Sequence, residues 1–219
     1  MSSPIFKHQV NRRDSSLRDY YYRDGDERFY KRIWAGIVPP SERPGAIVVV
    51  AEELSLRPPA HIYWIDESQE SATDHLMQQA LDFKALYQVQ EFYGRTKDKD
   101  FYRYLSFWNA NRRERNLKTI EISEAPNSAE GNISFHIGVI RNRLSPNQKT
   151  LHLGESKLLP AAFQELSMSD VSTAKDFEHP VLAALGFVVS ALDSYGAEWN
   201  KQEEQFAEME YDIDSIIDR

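Results

Sequence analysis

The sequence predicts an α/β protein: a mixed five-stranded sheet, three antiparallel strands leading into parallel ones, flanked by helices. Three observations carry that expectation. Three β-like runs follow one another between Lys31 and Glu67 with only short turns between them, which implies antiparallel pairing. At Leu76 the apolar period changes from two to that of a helix. Beyond it, helical stripes alternate with short extended segments, so each helix can serve as a crossover between parallel strands.

The first strand is "KRIWAGIV", in which Ile33, Ala35 and Ile37 alternate against Trp34, Gly36 and Val38. Proline and glycine punctuate the turn "PPSERPG". "AIVVVAEE" is a continuous β-branched run, the pattern of a central strand buried on both faces. After the break "LRPPA" comes a third strand, "HIYWIDE". Leu76, Ala80, Phe83 and Tyr87 then form one helical stripe, with Ser71 or Thr73 able to cap its start. "VQEFYG" is the fourth strand and ends at Gly94. Phe101, Tyr104, Leu105 and Trp108 mark a second helix, and "KTIEIS" the fifth strand. Ile133, Ile137, Ile140 and Leu144 make a third helical stripe, "KTLHLG" is strand-like or extended, and "LPAAFQEL" is a short helix. "HPVLAALGFVVSALDSY" is a strongly apolar helix with Pro180 suited to its first turn.

Three segments are expected: an N-terminal arm over 1–30, a main domain over 31–197, and an acidic helix or tail over 198–219. The arm carries "YYYRDGDERFY", aromatics beside arginines that can stack on bases or simply pack against the domain. The tail spaces Phe206, Met209, Ile213 and Ile216 or Ile217 as an amphipathic helix would. Its eight acids against two bases account for −6 of the net charge of −8, so the remainder is close to neutral and has no global electrostatic footprint for nucleic acid.

With 219 residues and 41% hydrophobic content the chain can bury one substantial core. The absence of cysteine excludes disulfides, thiolate zinc sites and a thiol nucleophile. "MSSPIFKHQVNRRD" lacks the apolar core of a signal peptide, and the longest apolar run, "AIVVVA", is strand-sized, so no membrane association and a cytoplasmic setting are expected.

The order of elements resembles the ribonuclease-H-like fold, and within it the nuclease domain of phage large terminase subunits. "AGIVPPSERPGAIVVVAEE" resembles that family's opening strand, turn and second strand. "HLMQQALDFKALYQVQEFYGRT" is similar to its helix and strand beside the active site. "FHIGVIRNRLSPNQKTLHLG", "LPAAFQEL" and "HPVLAALGFVVSAL" resemble its closing elements. The likeness spans roughly residues 31 to 195. It implies a DNA endonuclease in a packaging system, with two magnesium or manganese ions held by carboxylates that activate water and steady the leaving oxygen. The acids implied by the resemblance fall in the first strand, at the end of the fourth and at the start of the last helix. Here those positions hold Val38, Gly94 (or a neighbour of it) and Ala183; none is acidic, and valine and alanine cannot hold a metal.

Three functions therefore stand as expectations. The first is a catalytically degenerate nuclease-like domain that holds DNA or docks a packaging motor. The second is an active endonuclease using displaced carboxylates, with Glu53, Asp66, Asp98 and Glu178 as the set and Glu52, Glu67 and Asp176 nearby in sequence. The third is a non-enzymatic scaffold for partners. No cofactor is implied beyond magnesium or manganese for an active enzyme. The chain has neither a Walker A sequence nor GxGxxG, so the packaging ATPase would be a separate chain.

One basic cluster stands out. Arg112, Arg113, Arg115 and Lys118 follow the second helix, where cations favour the helix C-terminus and can also touch phosphate, as can Arg141, Arg143 and Lys149. None of the six histidines pairs at helical metal-binding spacing, and His136 lies off the Ile133 stripe, either exposed or hydrogen-bonded.

Overall fold

The computed structural model describes residues 22–23, 29–54, 60–95, 98–128, 133–166 and 174–195. Most of the expected arm and all of the expected acidic tail lie outside them. Among the described residues seven strands form one sheet: β1 (Tyr22–Arg23), β2 (Phe29–Val38), β3 (Gly45–Glu53), β4 (Ile62–Glu70), β5 (Glu91–Gly94), β6 (Ile122–Glu124) and β7 (Leu151–His152). Six run across it in the order β6-β5-β2-β3-β4-β7, and the short β1 pairs with the start of β2. β2, β3 and β4 are mutually antiparallel, while β5 is parallel to β2, β6 to β5 and β7 to β4.

The described helices are α1 (Thr73–Leu86), α2 (Lys99–Glu114), α3 (Ser134–Leu144), α4 (Leu158–Glu165) and α5 over residues 180–195. The helices form two layers. Ile33, Ala35 and Ile37 of β2, with Ile47, Val49 and Ala51 of β3, pack in one apolar cluster with α1 and α2. Trp34, Val38, Ala46, Val48 and Val50 pack in the other with α3, α4 and α5. Both faces of β3 are therefore covered, and its unbroken apolar run follows from that. Fully burying a side chain of this size is worth about 1.5–3 kcal/mol, so the central strands hold much of the fold's stability.

Two glycines set the spacing of the second layer. A Cβ on Gly36 would lie 1.7 Å from the carbonyl oxygen of Ala184, so the backbone of α5 rests directly on β2. A Cβ on Gly186 would lie 2.3 Å from that of His136, which brings α3 against α5.

The structure departs from the sequence reading at several elements. The sheet has more than five strands, because "KTLHLG" contributes β7 as a parallel edge beside β4. The fifth predicted strand is displaced to 122–124. Asn109 of α2 donates to the Ile120 carbonyl (2.7 Å) and accepts from its N–H (3.1 Å), taking the place of a strand partner there. Neither Ser71 nor Thr73 caps α1. Ala72 occupies that position, without a side-chain cap bond. Among the described residues no helix is long and apolar enough to cross a membrane.

Candidate functional site

β2 and β5 are parallel neighbours and end at the same edge of the sheet. Their register, Gly36 opposite Tyr93, places Gly94 beside Ile37 and one step from Val38. α5 runs back along β2. Its Ala184 lies on Gly36, and its Tyr195 ring meets Trp34 (5.8 Å) and the Arg32 guanidinium (4.1 Å) near the opposite end. The start of α5 and residues 174–179 ahead of it therefore sit at the edge where β2 and β5 finish.

Val38, Gly94 and Ala183 converge on this edge. Val38 and Ala183 are buried in the same apolar cluster. A Cβ on Gly94 would stand 2.9 Å from the Ile37 carbonyl oxygen and 3.1 Å from Ile122 Cγ2. A carboxylate at that position would displace its neighbours. The three positions together offer methyl groups and backbone, with no side-chain ligand for a hard cation.

The alternative acids are distributed over different faces and ends. Glu53 lies at the far end of β3, opposite Tyr30, and accepts from Tyr63 Oη at 3.4 Å. Asp66 of β4 accepts from Tyr87 Oη (2.6 Å) and from the Glu67 N–H (2.8 Å) on the α1 side of the sheet. Asp98 caps α2 through the Phe101 N–H at 3.1 Å. Glu178 accepts from the Lys175 N–H at 2.7 Å. Glu67 caps α4, accepting from the N–H groups of Lys157 and Leu158 (both 2.8 Å) and from Ser156 Oγ. Glu52 pairs with Arg32 across the β2–β3 ladder. Among the described residues no three His, Asp or Glu side chains are grouped so as to hold a metal ion. The displaced set Glu53, Asp66, Asp98 and Glu178 is not brought together.

Asp176 stands apart from these. It is 4% exposed, and among the described residues neither carboxylate oxygen has a hydrogen-bond partner. Burial pushes its carboxyl up to about 6, opposed by the charges of Arg95 and Lys175. Arg95 directly follows Gly94, and its Nε is likewise buried and unpartnered, as is Nδ1 of His179 just before α5. Buried polar groups without partners are uncommon and mark places where water or a ligand belongs. Tyr102 adds a buried, unpartnered hydroxyl, and burial followed by the nearby charges of Glu124 and Asp98 raises it well above the usual phenol range. The sequence shows Asp176 ahead of the last helix but carries no signal for its burial, and Arg95 has no motif around it.

On the α1–α2 side of the same edge, a cavity of about 350 Å³ opens between the Pro39–Pro40 turn and the starts of α1 and α2, walled by Asp98, Asp100 and Tyr104. Its acidic wall disfavours phosphate.

The basic residues divide into two kinds. Arg112 donates to the Lys118 carbonyl (2.6 Å) and lies 4.7 Å from the Trp108 ring, so it closes the end of α2. Arg113 faces Glu121 at 3.6 Å, an exposed pair worth little. Arg115 and Lys118 are exposed beyond the helix. Arg143 is not a surface cation. It is 6% exposed, pairs with Asp193 of α5, and donates to the Ala60 carbonyl at 2.8 Å. His136 is fully buried, with Nδ1 3.0 Å from Ser190 Oγ. Burial lowers its pKa to about 4 against an opposing backbone hydrogen bond to Gly186, so the ring is neutral at pH 7. Compared with known proteins, the chain matches no family model and no curated sequence.

Proposed function

We propose that this chain is a ribonuclease-H-like domain without the usual two-metal centre, working in a phage DNA-packaging system as a non-catalytic element that holds DNA or docks the motor. One observation carries the reading. Three antiparallel strands are extended on the β2 side by two parallel ones, β5 and β6, and the three positions where the resemblance implies acids meet at one edge as Val38, Gly94 and Ala183. The biological setting rests on fold analogy, and because folds host many functions the experiment below has to decide it. The exposed cations Arg115 and Lys118 support contact with phosphate. The deciding experiment pairs calorimetric titration with manganese and a plasmid-cleavage assay, together with DNA binding at rising salt. The expected result is no cutting, and DNA binding that weakens steeply with salt. Manganese-dependent cutting would overturn the degenerate reading.

A second reading, an active metal-dependent endonuclease, is favoured by Asp176, a buried carboxylate at the same edge with no hydrogen-bond partner among the described residues. Cutting that disappears in Asp176→Asn would establish it.

A further inference from the structure

A separate cluster lies along the opposite flank of the sheet, where β7 joins β4. Tyr63 and His152 are register partners on these two strands, and their rings stack at 4.4 Å with planes 10° apart. The buried Tyr30 ring meets Tyr63 edge-on at 5.8 Å and fixes that stack from beneath. His61, one residue ahead of β4, turns its Nδ1 to within 2.8 Å of His152 Nε2. The two imidazole planes are 14° apart and their centroids 5.1 Å apart. That separation equals the N–N distance plus the two ring radii, so the rings meet edge to edge and each nitrogen axis points at the other. Both rings are half-buried, which leaves the pair open to ions from solution.

We propose that His61 and His152 form a binding site for a nitrogen-preferring transition-metal ion such as Zn²⁺, Ni²⁺ or Cu²⁺. Two imidazole nitrogens from adjacent strands converge, and imidazole suits these ions while magnesium and manganese prefer oxygen. A tetrahedral ion at about 2.0–2.1 Å from each nitrogen needs the two nitrogens about 3.3 Å apart and lies off the line between them, so the rings must separate by about 0.5 Å and each must turn by about 35° to aim its lone pair at the ion. His152 sits on a two-residue edge strand, which can yield by that much more readily than the central strands. The hydrogen shared between the rings leaves the bridging nitrogen, and the same imidazole takes up a proton at its other nitrogen. Water completes the coordination. The site lies on the flank of the sheet opposite β5 and β6 and is independent of the edge where Val38, Gly94 and Ala183 meet.

The test is titration of the full chain with Zn²⁺ and Ni²⁺ by calorimetry, beside the His61→Ala, His152→Ala and His75→Ala variants. His75 is exposed on α1 and serves as the control. One ion per chain is expected. Loss of either partner should exceed the roughly tenfold to hundredfold drop that loss of an outer supporting group causes, with His75→Ala unchanged. Because an alanine at either ring could loosen β7, the unmodified protein is also loaded with Cu²⁺ and its electron paramagnetic resonance spectrum read for coupling to imidazole nitrogens. Two coupled imidazoles are expected. No binding, affinity unchanged in His61→Ala and His152→Ala, or a spectrum without two imidazoles would overturn the proposal.

Discussion

Replacing Asp176 by asparagine isolates the cost of the buried carboxylate. Its folded pKa is raised to about 6 from the ordinary value of 3.8, with burial the leading cause. A carboxyl raised on folding binds its proton more tightly in the native state. Below about pH 3.8 both states are protonated and the group imposes no penalty. Between pH 4 and 6 stability is lost as the proton leaves, and above 6 the full penalty remains. Two pKa units correspond to about 3 kcal/mol. Asparagine keeps the shape and cannot ionise. Asp176→Asn is therefore expected to be more stable than the wild type by about 3 kcal/mol at pH 7.5, or about 6–12 °C in melting temperature for a chain of this size. At pH 4 the two proteins should be nearly equal. Thermal and urea melts at the two pH values measure this directly. A variant no more stable at pH 7.5, or a difference that does not shrink on acidification, would refute the assignment of an unpaired buried charge.

Other substitutions probe the layers and the surface. Gly36→Ala places a methyl group against the Ala184 carbonyl and should destabilise the fold by about 3 kcal/mol or more, read by chemical denaturation; wild-type stability would mean α5 does not rest on β2. Glu67→Ala removes the acceptor for the first N–H groups of α4, and a loss of about 1–2 kcal/mol is expected, with a neutral result arguing against that cap. Alanine at both Arg115 and Lys118 should leave the melting temperature unchanged and reduce the slope of log affinity against log salt for DNA by about 2; an unchanged slope would remove these side chains from the contact.

The strand meander and the helical stripes were legible because their periods are local properties of the chain. Ile33, Ala35 and Ile37 do face one layer, with Trp34 and Val38 facing the other, as alternation requires. The apolar run of β3 foretold cover on both faces. Weak elements were less legible. β7 is two residues long and exists because Leu151 and His152 find β4, and "KTIEIS" pairs as a strand only from Ile122 because Asn109 engages Ile120 first. Arg143 reads as a surface cation in a helical segment. Only the packed structure supplies Asp193 and the Ala60 carbonyl that hold it inside.

By itself, then, the sequence determined the order of elements, the two apolar faces of the sheet and the lack of an acid at Val38, Gly94 and Ala183, because side-chain type and spacing act within a few residues. Only the tertiary structure decided which charges are buried, which acids stay apart and which histidines meet. Asp176 and Arg95 are separated by 81 positions and His61 and His152 by 91, and their placement depends on how the crossovers bring distant strands to one edge.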